Sequence, residues 1–265
     1  MPLARFVDYF WFYDGLTPAH ALERVLPEGT FELLINLREE ARHTFHTGNL
    51  ACAATFRGSW IAGMHLKPVV IDTASDSSMM GVHFRPGGAA ALLGLPASEL
   101  SDRIIELDAI WGAGSRRLRD RLLEAIEPAA KFRCLEKVLL WRVESRLPES
   151  PCLTHAIRIF QSAPESVSIR KVAAEIGWSH KHLIATFQSF VGVSPKQFSR
   201  VRRFQNAVRT LQLSHSAALA EIALSCGYYD QPHFNSEFKA FSGLTPTDFL
   251  RDAQGRANFI PLRTA

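Results

Sequence analysis

Hydrophobic positions between Ser168 and Leu250 recur with a helical period, and the same arrangement is written twice. Leu183, Phe187 and Phe190 stand at i, i+4 and i+7, so they share one face of a helix. From Phe187, Phe190, Gly192, Pro195 and Phe198 to Phe238, Phe241, Gly243, Pro246 and Phe249 the offset is constant at 51 residues. Upstream, Ala173 and Gly177 map onto Ala223 and Gly227 with an offset of 50, which leaves one extra residue just after the second glycine. Two copies make a tandem pair and not a solenoid.

Each copy reads as an apolar helix, a glycine turn and a second, amphipathic helix. Gly177 and Gly227 suit a turn position with positive φ. Ala173 and Ala223 are small, as two closely crossing helices require. This is the helix-turn-helix pattern, whose second helix lies in the DNA major groove. Gly192 and Gly243 end the second helices, and Ser194-Pro195 and Thr245-Pro246 restart the chain as N-cap and N1 proline. A long helix from Ser194 to about Leu213 then joins the copies, burying Phe198, Val201, Phe204, Val208 and Leu211. Ahead of them, Thr154–Gln161 reads as a helix, and Ser168 caps the helix running through Ile176. The alternative is that two similar hairpins merely share an α-helical core; the repeated Gly, Phe and Pro positions argue against it.

The first half carries a different pattern. Phe6–Tyr13 is a dense aromatic run with strand character, closed by the Asp14-Gly15 turn signal. Burial in a β core accounts for it, and lining of an aromatic pocket is the alternative. A turn over Val25–Thr30 leads into a strand over Phe31–Asn36. Short strands follow near Thr44–Phe45, Leu50–Phe56, Ile61–Leu66, Val69–Ile71 and Met79–Phe84, with Gly, Asn, Asp and Ser between them. That spacing suggests a sandwich or barrel. Ala89–Leu93 reads as a short helix, and residues 95–108 as loop and short helix. Ser115–Ile126 and Lys131–Leu147 read as two helices, separated at Pro128 and stopped at Pro148. Leu118, Leu122 and Ile126 form one stripe, and Leu135, Val138, Leu139 and Arg142 another. These stripes serve either packing on the β region or a dimer contact.

The run Gly192-Val193-Ser194-Pro195-Lys196-Gln197-Phe198, followed by Arg203-Phe204 and Ala207, resembles the DNA-binding domain of AraC-type transcription regulators. The resemblance covers about Pro151 to Asp252. It implies an α+β chain with an N-terminal cupin-like β-barrel and helical appendage. The C-terminal all-α domain would hold two helix-turn-helix units joined by a long helix. The expected division is 1–112 for the β-rich sensor, 113–150 for a helical linker or dimerisation pair, 151–252 for DNA binding and 253–265 for a frayed tail. The resemblance also implies that Arg203 pairs internally with a carboxylate. It implies promoter DNA as partner, a possible small-molecule effector, RNA polymerase if the chain activates, and a possible homodimer.

Charge sharpens this picture. Residues 1–150 hold 17 Lys+Arg against 19 Asp+Glu, a balance of −2, whereas 151–252 hold 11 against 7, a balance of +4. The basic excess sits where phosphates would be held. Cys52, Cys134, Cys152 and Cys226 are scattered with no CxxC pair, which suits reduced thiols. No secretory signal and no membrane-length apolar run stand out, so a cytoplasmic protein without membrane association is expected.

Base readers are expected in the first two turns of each recognition helix. In the first unit these are His180, Lys181 and Ile184, with Ala185 beside them. The family often carries polar readers at positions 184 and 185, so this unit should read bases weakly. In the second unit the readers are Gln231, His233, Asn235 and Ser236, with Asp230 as N-cap. Phosphate contacts are expected from Ser179, Lys196, Lys239 and Thr245. For an effector pocket the candidates are Glu32, Trp60, His83 and Arg85, of which Glu32 and Arg85 could instead form an ordinary ion pair.

His43, His46, His65 and His83 invite a metal reading. Yet His43 and His46 are three apart and would point to opposite faces of a strand. No metal, no cofactor and no catalytic residue is expected. An enzyme on the barrel is the minor alternative, and a ligand-free interaction module is the other.

Overall fold

The computed structural model describes residues 2–144, 150–162, 167–213, 218–253 and 258–262. The first half is built on two antiparallel sheets. Strands β1 (Val7–Leu16), β2 (Leu22–Val25), β3 (Glu32–Asn36), β4 (Arg42–His46), β5 (Asn49–Phe56), β6 (Ser59–Ala62), β7 (Val69–Asp72), β8 (Ser77–Phe84) and β9 (Ile104–Glu106) come from this half. A tenth, β10 (Phe259–Pro261), comes from the segment after the second repeat. One sheet runs β1-β8-β3-β6-β9 and the other β10-β2-β7-β4-β5. The sheets face each other, and among the described residues no strand pair joins their edges, so the expected barrel is open-sided.

Strand alternation divides the aromatic run of β1 into two sets. Phe10 and Phe12 point to the helices: Phe10 lies 6.5 Å from the Phe132 ring, and the Lys131 ammonium sits over Phe12. Tyr9, Trp11 and Tyr13 take the opposite face, in register with His83, Gly81 and Met79 of β8. There Trp11 and Tyr13 stack at 5.6 Å. A methyl group on Gly81 would come within 2.2 Å of the Trp11 indole, so only glycine lets the ring lie flat on the sheet. The face of Phe10 and Phe12 is packed in the core, as the first expectation had it.

Helices α1 (Gly88–Leu93), α2 (Asp108–Trp111), α3 (Ala113–Glu124) and α4 (Pro128–Glu144) cover the back of the first sheet. They bury Leu92, Leu118, Leu122, Leu135 and Leu139 against Leu33, Ile35, Met80 and Val82 in one core. Ile126, expected in the α3 stripe, is 89% exposed. The helix stops before it, because Ala125 turns extended ahead of Pro128. The expected stop at Pro148 and the start of the boundary at Glu149 lie outside the described residues.

The second half is all helical: α5 (Pro151–Ser162), α6 (Ile169–Glu175), α7 (His180–Val191), α8 (Pro195–Leu213), α9 (Leu219–Ser225), α10 (Gln231–Ser242) and α11 (Pro246–Asp252). Gly177 and Gly227 have φ of 72° and 77°, and Gly192 and Gly243 close α7 and α10 with φ of 99° and 73°. These are the left-handed positions that the repeat reserves for glycine. Ser194 and Gln197 form a capping box on α8: the Ser194 amide donates to Gln197 Oε1 at 3.0 Å, and the Gln197 amide donates to Ser194 Oγ at 3.3 Å. Ser168 occupies the N-cap of α6, but its side chain accepts no capping bond. Phe187 and Phe198 pack edge-on in the first unit, as do Phe238 and Phe249 in the second, 5.5 and 5.4 Å apart. The repeat is therefore one packing solution used twice.

Three short strands depart from the sequence expectation: β2, β9 and β10. The last is the notable one, because residues 253–265 were expected to fray. Instead Phe259, Ile260 and Pro261 pair antiparallel with Val25, Arg24 and Glu23.

Candidate nucleic-acid interface and sensor face

Helices α7 and α10 are the two recognition helices, and each begins at a side-chain N-cap. Ser179 Oγ accepts from the His182 amide at 3.1 Å, and Asp230 Oδ1 accepts from the His233 amide at 2.8 Å. These caps fix where the first turn starts and therefore which residues it projects. In the first unit His180, Lys181 and Ala185 are exposed and Ile184 is half-buried. In the second, Gln231 and Asn235 are half-buried on one side of α10, and Ser236 is exposed. Asn235 Oδ1 is enclosed and accepts no hydrogen bond among the described residues.

His233 is placed differently from a free reader. Its Nδ1 accepts weakly from the Tyr229 amide at 3.4 Å, and its Nε2 lies 3.7 Å from Glu237. Glu237, on α10, is buried at 7% exposure and holds two arginines of α8. Arg203 Nη2 donates at 2.6 Å and Arg200 Nε at 3.1 Å. The internal carboxylate partner expected for Arg203 is thus Glu237. Arg203 also stacks on Tyr228, 4.6 Å from its ring. The cluster sets the angle of the second recognition helix on the long one.

A cleft of about 610 Å³ opens between the two units. His180 lines it from the first unit, Lys196, Arg200 and Arg203 from α8, and His233 and Glu237 from the second. Lys196 and Lys239, expected at phosphates, are exposed, as is the base-reading candidate Lys181. Thr245 is engaged locally: it caps α11 by accepting from the Asp248 amide at 3.1 Å and donates to the Asp248 carboxylate at 2.6 Å.

On the first half, Glu32 and His83 come together and Arg85 does not. His83 Nδ1 bonds Glu32 Oε2 at 2.8 Å, and the Trp11 indole N–H donates to the other oxygen of Glu32. Tyr9 stacks on His83 at 4.6 Å. Arg85 pairs with Asp8 at 3.0 Å, which corrects the ion pair considered between Arg85 and Glu32. The physical reason is register: Glu32 pairs with His83, two residues before Arg85 along β8. Trp60 shares the Glu32 face of the sheet and packs with Phe56 and Met79, against Trp11, Tyr13 and Leu34. Tyr13 also feels the charges of Arg42, Glu23 and Asp72 from the second sheet, so this aromatic face looks toward that sheet. Sequence reasoning considered the aromatic run holding Tyr9, Trp11 and Tyr13 but did not separate these three from Phe10 and Phe12, and it did not single out Arg42. The period-two split of β1 was the available signal for that separation.

His83 also has Glu28 at 3.6 Å. Burial lowers its pKa, but the hydrogen bond and charge of Glu32, then the charges of Glu28 and Asp8, outweigh burial and leave it raised above 6.5. The Glu28 carboxyl is raised above 4.5, first by burial and further by Glu32, against the pull of His83, Asn258 and Arg202. Both shifts make the folded chain bind protons more tightly than the unfolded one. Their stabilising contribution is complete below the unfolded values and is lost as pH rises through the shifted ones. These two groups should therefore contribute a loss of stability as pH rises from the carboxylate range through neutrality, against the opposite contribution of buried His65, and His83→Gln should remove the neutral part of that loss. Thermal melts of both chains across pH check this; parallel curves would remove His83 as the cause.

The histidines considered for metal lie apart. His43 bonds Asp72 at 2.9 Å, and His65 sits 4.0 Å from Asp102. Among the described residues no three His, Cys, Asp or Glu side chains are grouped as a metal site.

Comparisons with known proteins follow this division. Residues 172–252 match the family described as a helix-turn-helix domain, and residues 1–106 match a domain of unknown function, DUF6597. The probable transcription factor PqrA of Proteus vulgaris is 32% identical over 32% of this chain and 69% of its own length. The HTH-type transcriptional regulator ArgR of Pseudomonas aeruginosa is 28% identical over 44% of this chain and 36% of its own length. ToxT of Vibrio cholerae, in its solved structure, has the same fold, with a TM-score of 0.50 at 10% identity, over 91% of this chain and 98% of that one. The chain spans about a third of the length of the first curated relatives it matches.

Proposed function

This chain belongs to the AraC-type helix-turn-helix family of transcription regulators, and from that premise we propose that it is a one-component switch, in which the first half senses a small molecule and the second grips promoter DNA. The observation that carries the DNA part is the pair of N-capped recognition helices on either side of a cleft lined by Lys196, Arg200 and Arg203. Two such helices enter successive major-groove segments about 34 Å apart. Gln231 reads base edges through its amide, Asn235 can offer only its Nδ2 because its Oδ1 is enclosed, and Ser236 assists. His180 and Lys181 contribute a weaker reading from the first unit, and Ile184 touches a thymine methyl. His233, held by Glu237, orients the helix as well as facing the groove. Ser179, Lys196, Lys239 and Thr245 position the phosphates.

For the sensor, the aromatic face of Tyr9, Trp11, Tyr13 and Trp60 with the Glu32–His83 pair supplies apolar area and a few convergent polar groups. Arg85 acts at its margin through Asp8. The relatives named above are regulators, so this face is read as binding and not as catalytic. No described helix is long and apolar enough to cross a membrane, in keeping with a cytoplasmic place of action.

Titration of genomic fragments at two salt concentrations tests the DNA claim. Two to four lysine–phosphate contacts predict an affinity loss of about 10- to 100-fold between about 50 and 200 mM salt. Binding without sequence preference, or without that salt slope, overturns the reading. A second reading, that the first half pairs two copies, is favoured by the exposure of Ile126 and Trp141 at 89% and 67%. A mass that doubles with concentration, and stays single in Trp141→Glu, supports it. An activator would also meet RNA polymerase through surfaces away from the cleft.

A further inference from the structure

The segment after the second repeat crosses back to the first half. Strand β10 extends the β2 edge: the Leu26 amide donates to the Asn258 carbonyl at 2.9 Å, and the Leu262 amide donates to the Leu22 carbonyl at 2.9 Å. Ile260 is 1% exposed and belongs to the main core. The loop after β2 meets the long helix at the same place. Gln205 Nε2 donates to the Pro27 carbonyl at 2.6 Å and reaches Asn258 Oδ1 at 3.0 Å, and Arg202 Nη1 donates to the Glu28 carbonyl at 3.3 Å. Asn258 Nδ2 donates to the Glu28 carboxylate. On the other side of β10, Arg24 lies against Gly243, the C-cap of α10, within the charge of Asp252. Its cation there faces the carbonyl end of the second recognition helix.

These contacts form a continuous path. Asn258 holds Glu28, Glu28 faces His83, His83 holds Glu32, and Glu32 holds the Trp11 indole of the aromatic face. Elsewhere among the described residues the halves share the core where α1 packs on α7, and Ser101 Oγ donates to the Gly192 carbonyl at 2.6 Å. A three-residue strand on a sheet edge, ending in a proline, is a small pairing. It gains its hold from Ile260 and Asn258, and Asn258 is bonded to Glu28.

We propose that strand β10 is a releasable latch that clips the helix-turn-helix half to the β2 edge, and that the Glu28–His83–Glu32 chain couples its release to occupation of the aromatic face. Opening the latch supplies the second domain arrangement that a switch requires, since a ligand shifts such an equilibrium only by binding the two arrangements unequally. The coupling clause rests on the sensor reading above; the latch itself does not.

The test uses the full chain without DNA. Ile260→Asp places a charge in the core position and should speed hydrogen exchange of the Leu26 amide by about tenfold or more. It should also enlarge the radius of gyration in solution scattering. Unchanged exchange and size would overturn the latch. If that variant fails to fold, Asn258→Ala removes the side-chain links and leaves Ile260 buried; it should shift exchange in the same direction to a smaller extent, and no shift overturns the latch equally. Glu28→Ala should raise Leu26 exchange at least about threefold; a change confined to β3 and β8 would overturn the coupling. On a DNA fragment bound by the unaltered chain, opening the latch should change affinity by about fivefold or more, and equal affinity denies the latch a regulatory role. Failure of the unaltered chain to bind any fragment counts against the DNA reading, while the exchange results still decide the latch.

Discussion

Glu237→Ala should lower the stability of the helix-turn-helix half by about 3 kcal/mol, because removing one partner of a buried ion cluster leaves the others uncompensated. Arg203 would be stranded at 15% side-chain exposure, against Tyr228 and with no second carboxylate in contact among the described residues. Arg200, at 43%, can turn to water, so its share of the loss is smaller. Urea unfolding followed by circular dichroism checks the magnitude. Glu237→Gln keeps the shape and one acceptor and should lose less than the alanine variant. Equal losses would mean that volume, and not charge, holds the cluster. Since α10 is set on α8 through this carboxylate, the alanine variant should also lose DNA affinity at temperatures well below its melting midpoint.

Gln231→Ala should relax base preference by about 1–3 kcal/mol at one position of the site, the range of a good bidentate contact. Ile184→Ala should leave the preference profile nearly unchanged. The contrast follows from what each helix projects: an amide on the first turn of α10, and a half-buried aliphatic group on α7. Selection of binding sites from a random pool with each variant reads out the difference. A loss of preference as large with Ile184→Ala as with Gln231→Ala would overturn the unequal division between the units. Lys239→Ala offers a control, since a phosphate contact should weaken all sequences alike and flatten the salt slope.

The second half was legible in the sequence because its signals are local. Gly177, Gly192, Gly227 and Gly243 mark left-handed positions, Ser194 and Thr245 mark caps, and the phenylalanines mark helix faces. Each states its reason within a few residues. Arg203 with Glu237 lay one step further: the arginine could be named, but its carboxylate is 34 residues away and had to be found in space. The first half was legible as strands but not as a site. Register decides whether Glu32 meets His83 or Arg85, and the pairing of β3 with β8, about 50 residues apart along the chain, is set in space and by no local pattern. Strand β10 was not legible at all. Phe259-Ile260-Pro261 is too short and proline-marked to read as a strand, and its partner lies more than 200 residues upstream.

The two-faced β1 carries a consequence for folding errors. A slip of one residue against β8 would turn Tyr9, Trp11 and Tyr13 into the helix-facing core and put Phe10 and Phe12 beside Glu32 and His83. Two hydroxyls and an indole N–H would then be stranded in apolar surroundings, and the Trp11 ring would lose its seat on Gly81. The misregistered chain would therefore be penalised on both faces at once. The alternation that sorts these aromatics onto two faces also proofreads the strand, so Trp11→Phe should spare the correct fold and still make the wrong one easier to reach.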